Sequence, residues 1–453
     1  MISSVIPGLT WPAIPNPQHA ALLALQFQLE QSQWRSPEQI ADHQMQQANL
    51  LLAHAARTVP YYQGYLPDIF AANGGKLDWA SWHQIPVLER TDIQTHNEAL
   101  VSQAIPQSHL PVSAGRTSGS TGRPIELLKT SVTGLLWCAF TLRGHLWHKR
   151  DLTAKLATIK AFGQPLPEEG LEMDTWGPST EMYANRGRAA VLSVHTATTR
   201  QLAWLQAQMP DYLLSYPSNL AALAEESLKQ SIKLPALQEV ISMGEKLTEQ
   251  QRVLCREAWG VEIKDIYSAE EIGYIAHQSP LDESYLVQAE HVILEVLDEG
   301  GRPCEAGEVG RVVVTTLNNF AKPLIRYAIG DYAEVGERSV CGRGLPVLKR
   351  IMGRTRNMFI KPGGEVFWPN MPIVAPEFVA RMPRVRQYQY VQKAMDWIEI
   401  RIGAEAAYAE EIERAFVHAV HRDFGYPYRV TFSYMKEIPR GGSQKYEEFV
   451  SEL

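Results

Sequence analysis

Cysteine is scarce. Four residues, Cys138, Cys255, Cys304 and Cys341, are spread over 453 positions, and no two form a CxxC pair. That excludes a zinc ribbon and a thioredoxin-like redox motif, and such sparse use fits a reducing compartment. Excess positive charge is also missing: 43 Lys and Arg stand against 50 Asp and Glu, a net charge of −7. A protein given over to nucleic acid usually carries a basic face, so that class is disfavoured, although a local basic pocket is still allowed. No apolar run approaches the ~18 residues of a membrane span; a typical one lies around Ala20 to Leu25. The opening stretch, MISSVIPGLTWPAIPNP, lacks a basic segment followed by an apolar one, so it does not read as a signal peptide. The expectation is a soluble cytoplasmic protein. A Walker loop, GxxxxGK[ST], is absent, and no GxGxxG follows a strand. Internal repeats and low-complexity tracts are absent too.

What is present is ordinary globular material, 45% apolar and 21% charged. At ~150 residues per domain the length allows about three domains, or one large and one small. Ser36 to Tyr62 reads as a helix, with Ser36 as N-cap, Pro37 at the first helical position and Pro60 ending the pattern. A loop dense in Gly, Ser and Thr runs from Ser113 to Gly122, and the apolar segment Ser131 to Trp147 predicts a helix packed against it. Between Ala154 and Glu245, strands (LATIKAF, DYLLSY, LQEVISMG) alternate with helices (TRQLAWLQAQM, NLAALAEESLKQ). This alternation predicts a parallel sheet. From Tyr285 to Val335 strands are joined by turns, which predicts an antiparallel section. A small α+β unit follows Gly353, with a hinge expected between Gly353 and Asn357.

The densest chemical signal is Thr117-Ser118-Gly119-Ser120-Thr121-Gly122, followed by Arg123 and Pro124. Two glycines let the backbone turn its N–H groups inward, and four hydroxyls add donors suited to phosphate oxygens. Read alone, such a run is equally a surface loop. Downstream come Gly244-Glu245-Lys246, Tyr267-Ser268-Ala269-Glu270-Glu271, Gly330-Asp331, Gly353-Arg354 and Lys445. On the residues alone these read as a strand-to-helix turn, a core aromatic followed by acidic helix-start residues, a turn aspartate and a solvated tail lysine. His145 and His148, three apart, could share a helix face, but no third metal ligand of matching type accompanies them.

The order of these short motifs resembles the AMP-forming adenylating enzymes, the superfamily of acyl-CoA ligases, carrier-protein-loading domains and luciferases. Val59-Pro60-Tyr61-Tyr62, Ile85-Pro86-Val87 and Ser215-Tyr216-Pro217-Ser218 resemble the phenylacetate–CoA ligase branch. The resemblance covers nearly the whole chain. It implies an α/β fold: a large N-terminal adenylate-forming domain, residues 1–353, that binds nucleotide and acid, and a small mobile α+β lid, residues 354–453. It puts Thr117, Ser118, Gly119, Ser120, Thr121 and Gly122 on the ATP phosphates. Gly244, Glu245, Lys246 and Tyr267 fall beside adenine, and Asp331 on the ribose. Glu271 falls to magnesium, and Arg354 and Lys445 to catalysis. Trp137, Tyr216, Ser242, Met243 and Ala269 are the expected acid-pocket residues, with Trp137, Phe140 and Trp147 favouring a flat apolar acid.

The implied reaction turns ATP and an acid, here expected to be aromatic, into an acyl-adenylate and pyrophosphate. Coenzyme A then displaces AMP. Mg2+, ATP and coenzyme A are the implied cofactor and co-substrates. A carrier-protein thiol or an amine is the alternative acceptor, a non-catalytic nucleotide binder the alternative role, and a homodimer the expected assembly by analogy with the branch. Several positions depart from the family. Glu270 stands where a serine or threonine is usual, so a second negative charge would need an offsetting cation near a triphosphate. Ser268 replaces a glycine, Arg326 precedes Tyr327 whereas Ala328 follows it, Asn357 takes a hinge aspartate's place, and Gln444 that of a glycine.

Overall fold

Proline, serine and glutamine set the first long helix. Ser36 accepts from the Gln39 amide, and the Gln39 side chain accepts from the Ser36 amide, so two orphan donors are satisfied where Pro37 opens Pro37–Thr58. Apolar positions of that helix, among them Leu51, Leu52 and Ala55, pack onto an antiparallel sheet. The computed structural model describes residues 2–116, 125–354, 357–369, 372, 374, 385–404, 406–436, 438 and 448–453. Thr117 to Gly122, Arg123, Pro124, Gln444 and Lys445 lie outside them.

A hairpin of β1 (Val112–Arg116) and β2 (Glu126–Thr130) flanks the hydroxyl-rich segment, with Arg116 opposite Glu126. Twelve further strands form one sheet. They are β3 (Leu156–Lys160), β4 (Leu171–Met173), β5 (Ala189–Ser193), β6 (Tyr212–Ser215), β7 (Glu239–Met243) and β8 (Glu262–Ala269), then β9 (Gly273–Gln278), β10 (Tyr285–Val287), β11 (Val292–Leu297), β12 (Val309–Thr316), β13 (Tyr327–Val335) and β14 (Val347–Arg354). Their order is 11-12-13-14-10-9-8-7-6-3-5-4. Strands β5, β3, β6, β7 and β8 run parallel. Helices Thr198–Gln208, Pro217–Gln230 and Glu249–Trp259 bury Leu202, Leu205, Leu220, Leu223 and Cys255 against them. Pairings β8–β9, β9–β10, β10–β14 and β11–β12 are antiparallel. The mixed α/β sheet read from the sequence is therefore present, half helix-connected and half turn-connected. The helix Ser131–Trp147 also forms as expected.

One feature of the order positions a site. The chain leaves β3 for β5 on one side, then returns to β6 on the other. Such a reversal opens a crevice beyond the carboxyl ends of the two strands, the place where open α/β sheets bind ligands.

Contacts divide the chain into two units. The first holds Ile125–Ile329 and Ala333–Ile351 with the segment before the hairpin loop; the second holds Gly330–Tyr332 and Met352–Leu453. The second contains a four-stranded sheet of β17 (Val385–Ala394), β18 (Trp397–Ala404), β19 (Arg429–Met435) and β20 (Phe449–Ser451), ordered 19-18-17-20. Two short strands, β15 (Phe359–Ile360) and β16 (Val366–Phe367), pair separately. Helix Glu410–Phe424 lays Phe416, Val420 and Phe424 on Ile398, Ile400 and Ile402, giving this unit its own core.

Candidate active site

The crevice between β3 and β6 is built from hydroxyls that bridge the strand ends. Ser215 Oγ donates to the Ile159 carbonyl at 2.6 Å, and the Ala161 amide donates to the Tyr216 hydroxyl at 3.3 Å. Tyr216, an expected pocket residue, thus stands at the carboxyl end of β6, where Pro217 starts the next helix. Burial raises its hydroxyl pKa above the ordinary value, so it stays protonated.

The next parallel strand, β7, ends in Met243, which is half-buried at the same edge. Ser242 beside it is fully buried, and its hydroxyl donates to Asp265 Oδ1 at 2.5 Å. Asp265 also accepts from the Tyr285 hydroxyl at 2.7 Å. The Ser242 hydroxyl is therefore engaged inside the sheet, while Met243 stands at its edge. The reason is strand alternation: neighbouring side chains face opposite sides.

After β7, Gly244 takes a φ of +79°, which glycine adopts without steric cost. The chain turns back, and Glu245 Oε2 accepts from the Ser218 amide at 3.0 Å. A carboxylate there satisfies an orphan donor at the start of Pro217–Gln230 and complements the helix dipole. Lys246 follows on the same turn. Glu245 thus ties two strand ends together beside the crevice.

Tyr267 lies within β8. The strand runs on to Ala269, with a register shift after Tyr267. Tyr267 is 8% exposed and packs in the main core. Ala269 is half-buried opposite Gly273. Glu270 and Glu271 form the turn into β9 and belong to no helix.

These two carboxylates face different partners. Glu270 is exposed and pairs with the Lys129 ammonium of β2 at 2.5 Å. A cation therefore offsets the unusual acid, and it comes from the strand that directly follows the hydroxyl-rich segment. Glu271 is 9% exposed; its Oε1 accepts from the Tyr327 hydroxyl at 3.2 Å and lies 3.7 Å from an Arg90 guanidinium nitrogen. Tyr327 is fully buried, and burial pushes its pKa well above the ordinary tyrosine range. Among the described residues no three His, Cys, Asp or Glu side chains gather to hold a metal alone. Magnesium bridging phosphates needs only one or two protein oxygens, and the Glu271 carboxylate, with both described contacts on one oxygen, fits that demand.

On helix Ser131–Trp147, Phe140 and Trp147 are buried, whereas Trp137 is 41% exposed. Its ring lies 4.4 Å from that of Tyr274, two residues into β9 beyond the Glu270–Glu271 turn. Trp137 is thus a partly exposed aromatic surface beside the start of β9. His145 is buried against Trp176 and Arg150, and burial pushes its pKa far down. His148 falls to about 2 for the same reason. Both imidazoles are structural.

In the second unit, Asp331 lies inside β13, not after a strand, and its Oδ1 is 3.5 Å from Arg354 Nε. The Arg354 amide donates to Asn357 Oδ1 at 3.2 Å, and Asn357 Nδ2 donates to the Phe449 carbonyl at 2.5 Å. An aspartate could make the first bond but not the second, which accounts for asparagine here. Arg326, before Tyr327, is committed to the interior of the first unit. It is buried, with a bidentate pair to Glu295 and donation to the Ile85 carbonyl at 2.6 Å. Lys445 and the Thr117 to Gly122 segment are not placed.

Sequence reasoning missed Arg90, Tyr327, Lys129 and Lys160. No motif flags the first three, because their roles arise from contacts across 56 to 181 positions. Lys160 had a signal, a charged residue closing an apolar strand.

No protein-family model matches the chain. Among curated proteins it is 26% identical over 395 residues to a phenylacetate–coenzyme A ligase of Thermus thermophilus, covering 83% of this chain and 84% of the relative. It is 23% identical over 422 residues to a phenylacetate–coenzyme A ligase of Pseudomonas putida, covering 89% and 90%. Among solved structures, 2-hydroxyisobutyryl-CoA ligase in its postadenylation state superposes with a TM-score of 0.71 at 20% identity, over 93% of this chain and 92% of that one. An anthranilate–CoA ligase bound to anthranoyl-AMP gives 0.51 at 18% identity, over 74% and 65%. The chain is phenylacetate–CoA ligase-like in sequence and has the fold of these adenylate-forming ligases.

Proposed function

We propose that this chain, phenylacetate–CoA ligase-like and folded as an AMP-forming ligase, activates a carboxylic acid with ATP and passes the acyl group to coenzyme A. The observation that carries the reading is the Lys129–Glu270 pair. It joins the strand leaving the hydroxyl-rich segment to the turn that holds Glu271. The pair ties the strand that follows the hydroxyl-rich segment to the turn of the candidate metal carboxylate, which supports reading the two motifs as parts of one site.

The chemistry follows from charge. The acid's carboxylate oxygen attacks the α-phosphorus, the bond to the β-phosphate bridging oxygen breaks, and pyrophosphate leaves. The thiol sulfur then attacks the acyl carbon, loses its proton, and AMP departs. Two anions must meet in the first step, so catalysis is chiefly positioning and neutralisation. Thr117, Ser118, Ser120, Thr121 and the backbone at Gly119 and Gly122 would donate to phosphates. Glu271 would hold magnesium, which supplies Lewis-acid polarisation of phosphate oxygens when bound. Lys445 would contact the carboxylate and the α-phosphate as a compact point charge. Gly244, Glu245, Lys246 and Tyr267 are proposed for adenine, and Asp331 and Arg354 for ribose and its phosphate. Trp137, Tyr216, Met243 and Ala269 are proposed for the acid, which Trp137 favours as a flat aromatic one. The lid role of residues 354–453 belongs to the same proposal, as do residence in the cytoplasm and a homodimeric assembly.

The test is ATP–pyrophosphate exchange driven by a panel of aryl acids. One or more acids should stimulate exchange, and Lys445→Ala should suppress it by about 100-fold or more. Exchange that is equal in the variant removes Lys445 from the mechanism; no exchange with any acid removes the adenylation step.

A further inference from the structure

Lys160 is the last residue of β3, so its place is the carboxyl edge of the parallel strands, on the flank of the crevice where strand order reverses. The Tyr216 hydroxyl, held by the amide of the very next residue, stands on the other flank. The residue is half-buried. Among the described residues its one direct partner is the Phe162 ring, with Nζ 5.3 Å from the centroid. Glu270 and Lys129 are within electrostatic reach, one raising and one lowering the affinity for the proton, while burial lowers the pKa most. The nearby carboxylate is already engaged, because Glu270 holds Lys129 at 2.5 Å. Lys160 is thus within reach of one further cation and one anion. A partly desolvated ammonium without a counter-ion is costly to a folded chain, and a ring face offsets little of that cost.

We propose that Lys160 is an anion-binding residue of this site, receiving either the carboxylate of the acid or a phosphate of the nucleotide. The two sources share one chemistry, an anionic oxygen presented at the crevice. The inference rests on the ligase reading for both of them. It also explains the acid at position 270. Glu270 is engaged by Lys129 at 2.5 Å and acts on Lys160 only through space, so among the described residues Lys160 has no salt-bridge partner and can receive an incoming anion.

The experiment compares wild type, Lys160→Met and Lys160→Arg. MgATP affinity is measured by calorimetry, and the KM of the best aryl acid by pyrophosphate exchange. If the carboxylate is the ligand, Lys160→Met raises the acid KM by about tenfold or more and leaves MgATP affinity alone. If phosphate is the ligand, MgATP affinity falls by a similar factor. Lys160→Arg retains most of the wild-type value in either case. The thermal midpoint of Lys160→Met should be unchanged or higher, since a half-buried cation without a salt bridge is removed; a lower midpoint with both affinities intact assigns Lys160 a structural role and overturns the proposal. Should wild type show neither MgATP binding nor exchange, the ligase reading fails separately. Inorganic pyrophosphate and phenylacetate are then titrated into wild type and Lys160→Met, and equal binding overturns the Lys160 assignment.

Discussion

Glu270 and Glu271 are adjacent acids with opposite duties. Glu270 is exposed beside an ammonium, while Glu271 is sheltered beside a tyrosine hydroxyl and a guanidinium at 3.7 Å. If Glu271 carries the magnesium, removing its charge should damage chemistry without unfolding the protein. Glu271→Gln is expected to lower exchange by about 100-fold and to raise the magnesium concentration needed for half-maximal rate. A magnesium titration of the exchange rate checks this, and an unchanged curve would remove Glu271 from metal binding. The order of the motifs is what singled out such residues as candidates in the sequence. Their partners were not legible there. Nothing local links Arg90 to Glu271 or Lys129 to Glu270, and only the folded chain brings them together. Ser242 shows the reverse case: a motif neighbour on a strand that turns out to face the interior.

Elements were more legible than partners. Helix Ser131–Trp147 follows from a continuous apolar stretch, and Thr130 caps it through the Thr133 amide at 3.2 Å. The half-parallel, half-antiparallel sheet follows from alternating strands and helices giving way to strands and turns. Asp331, read as a turn residue, lies within β13, and the acids at 270 and 271, read as helix-start residues, form a strand-to-strand turn. What holds the helix in place was invisible. Arg143, 2% exposed, donates to Glu290 at 2.8 and 2.9 Å, to the Gln288 side chain and to the Leu29 carbonyl. It pins the helix to Pro17–Ser32 and to the turn before β11. Burial works to raise the Glu290 pKa, but Arg143 and the Ser32 hydroxyl outweigh it and hold the group below its ordinary 4.5. A carboxylate with a depressed folded pKa contributes its stability fully above the unfolded value, and loses it as pH falls through the folded one. Arg143→Met should therefore destabilise the first unit by about 3 kcal/mol at neutral pH. The deficit should shrink near pH 4 and below. Urea midpoints of both proteins at pH 7 and pH 4 check the direction; a deficit that grows on acidification would contradict it.

Over the whole molecule, two units each contain a core of their own. Their stabilities should then separate. Phe416→Ala removes a buried ring from the cluster of Ile398, Ile400 and Val420, at a cost of about 3–5 kcal/mol. Scanning calorimetry should show one transition moved to lower temperature and the other in place. A single transition that moves as a whole would mean the units unfold together. The sequence reading puts a small α+β unit after Gly353; in the structure the main segment of the second unit begins at Met352. The transfer of Gly330–Tyr332 to the second unit was not legible, since β13 gives no local sign of it.

The central claim is that an acid oxygen bonds to the α-phosphorus of ATP. Incubation of the protein with MgATP, coenzyme A and an aryl acid labelled with 18O in its carboxylate tests that bond directly. Mass spectrometry should find one labelled oxygen in AMP and the acyl group on coenzyme A. Label in inorganic phosphate, with ADP as the nucleotide product, or AMP free of label would contradict the account.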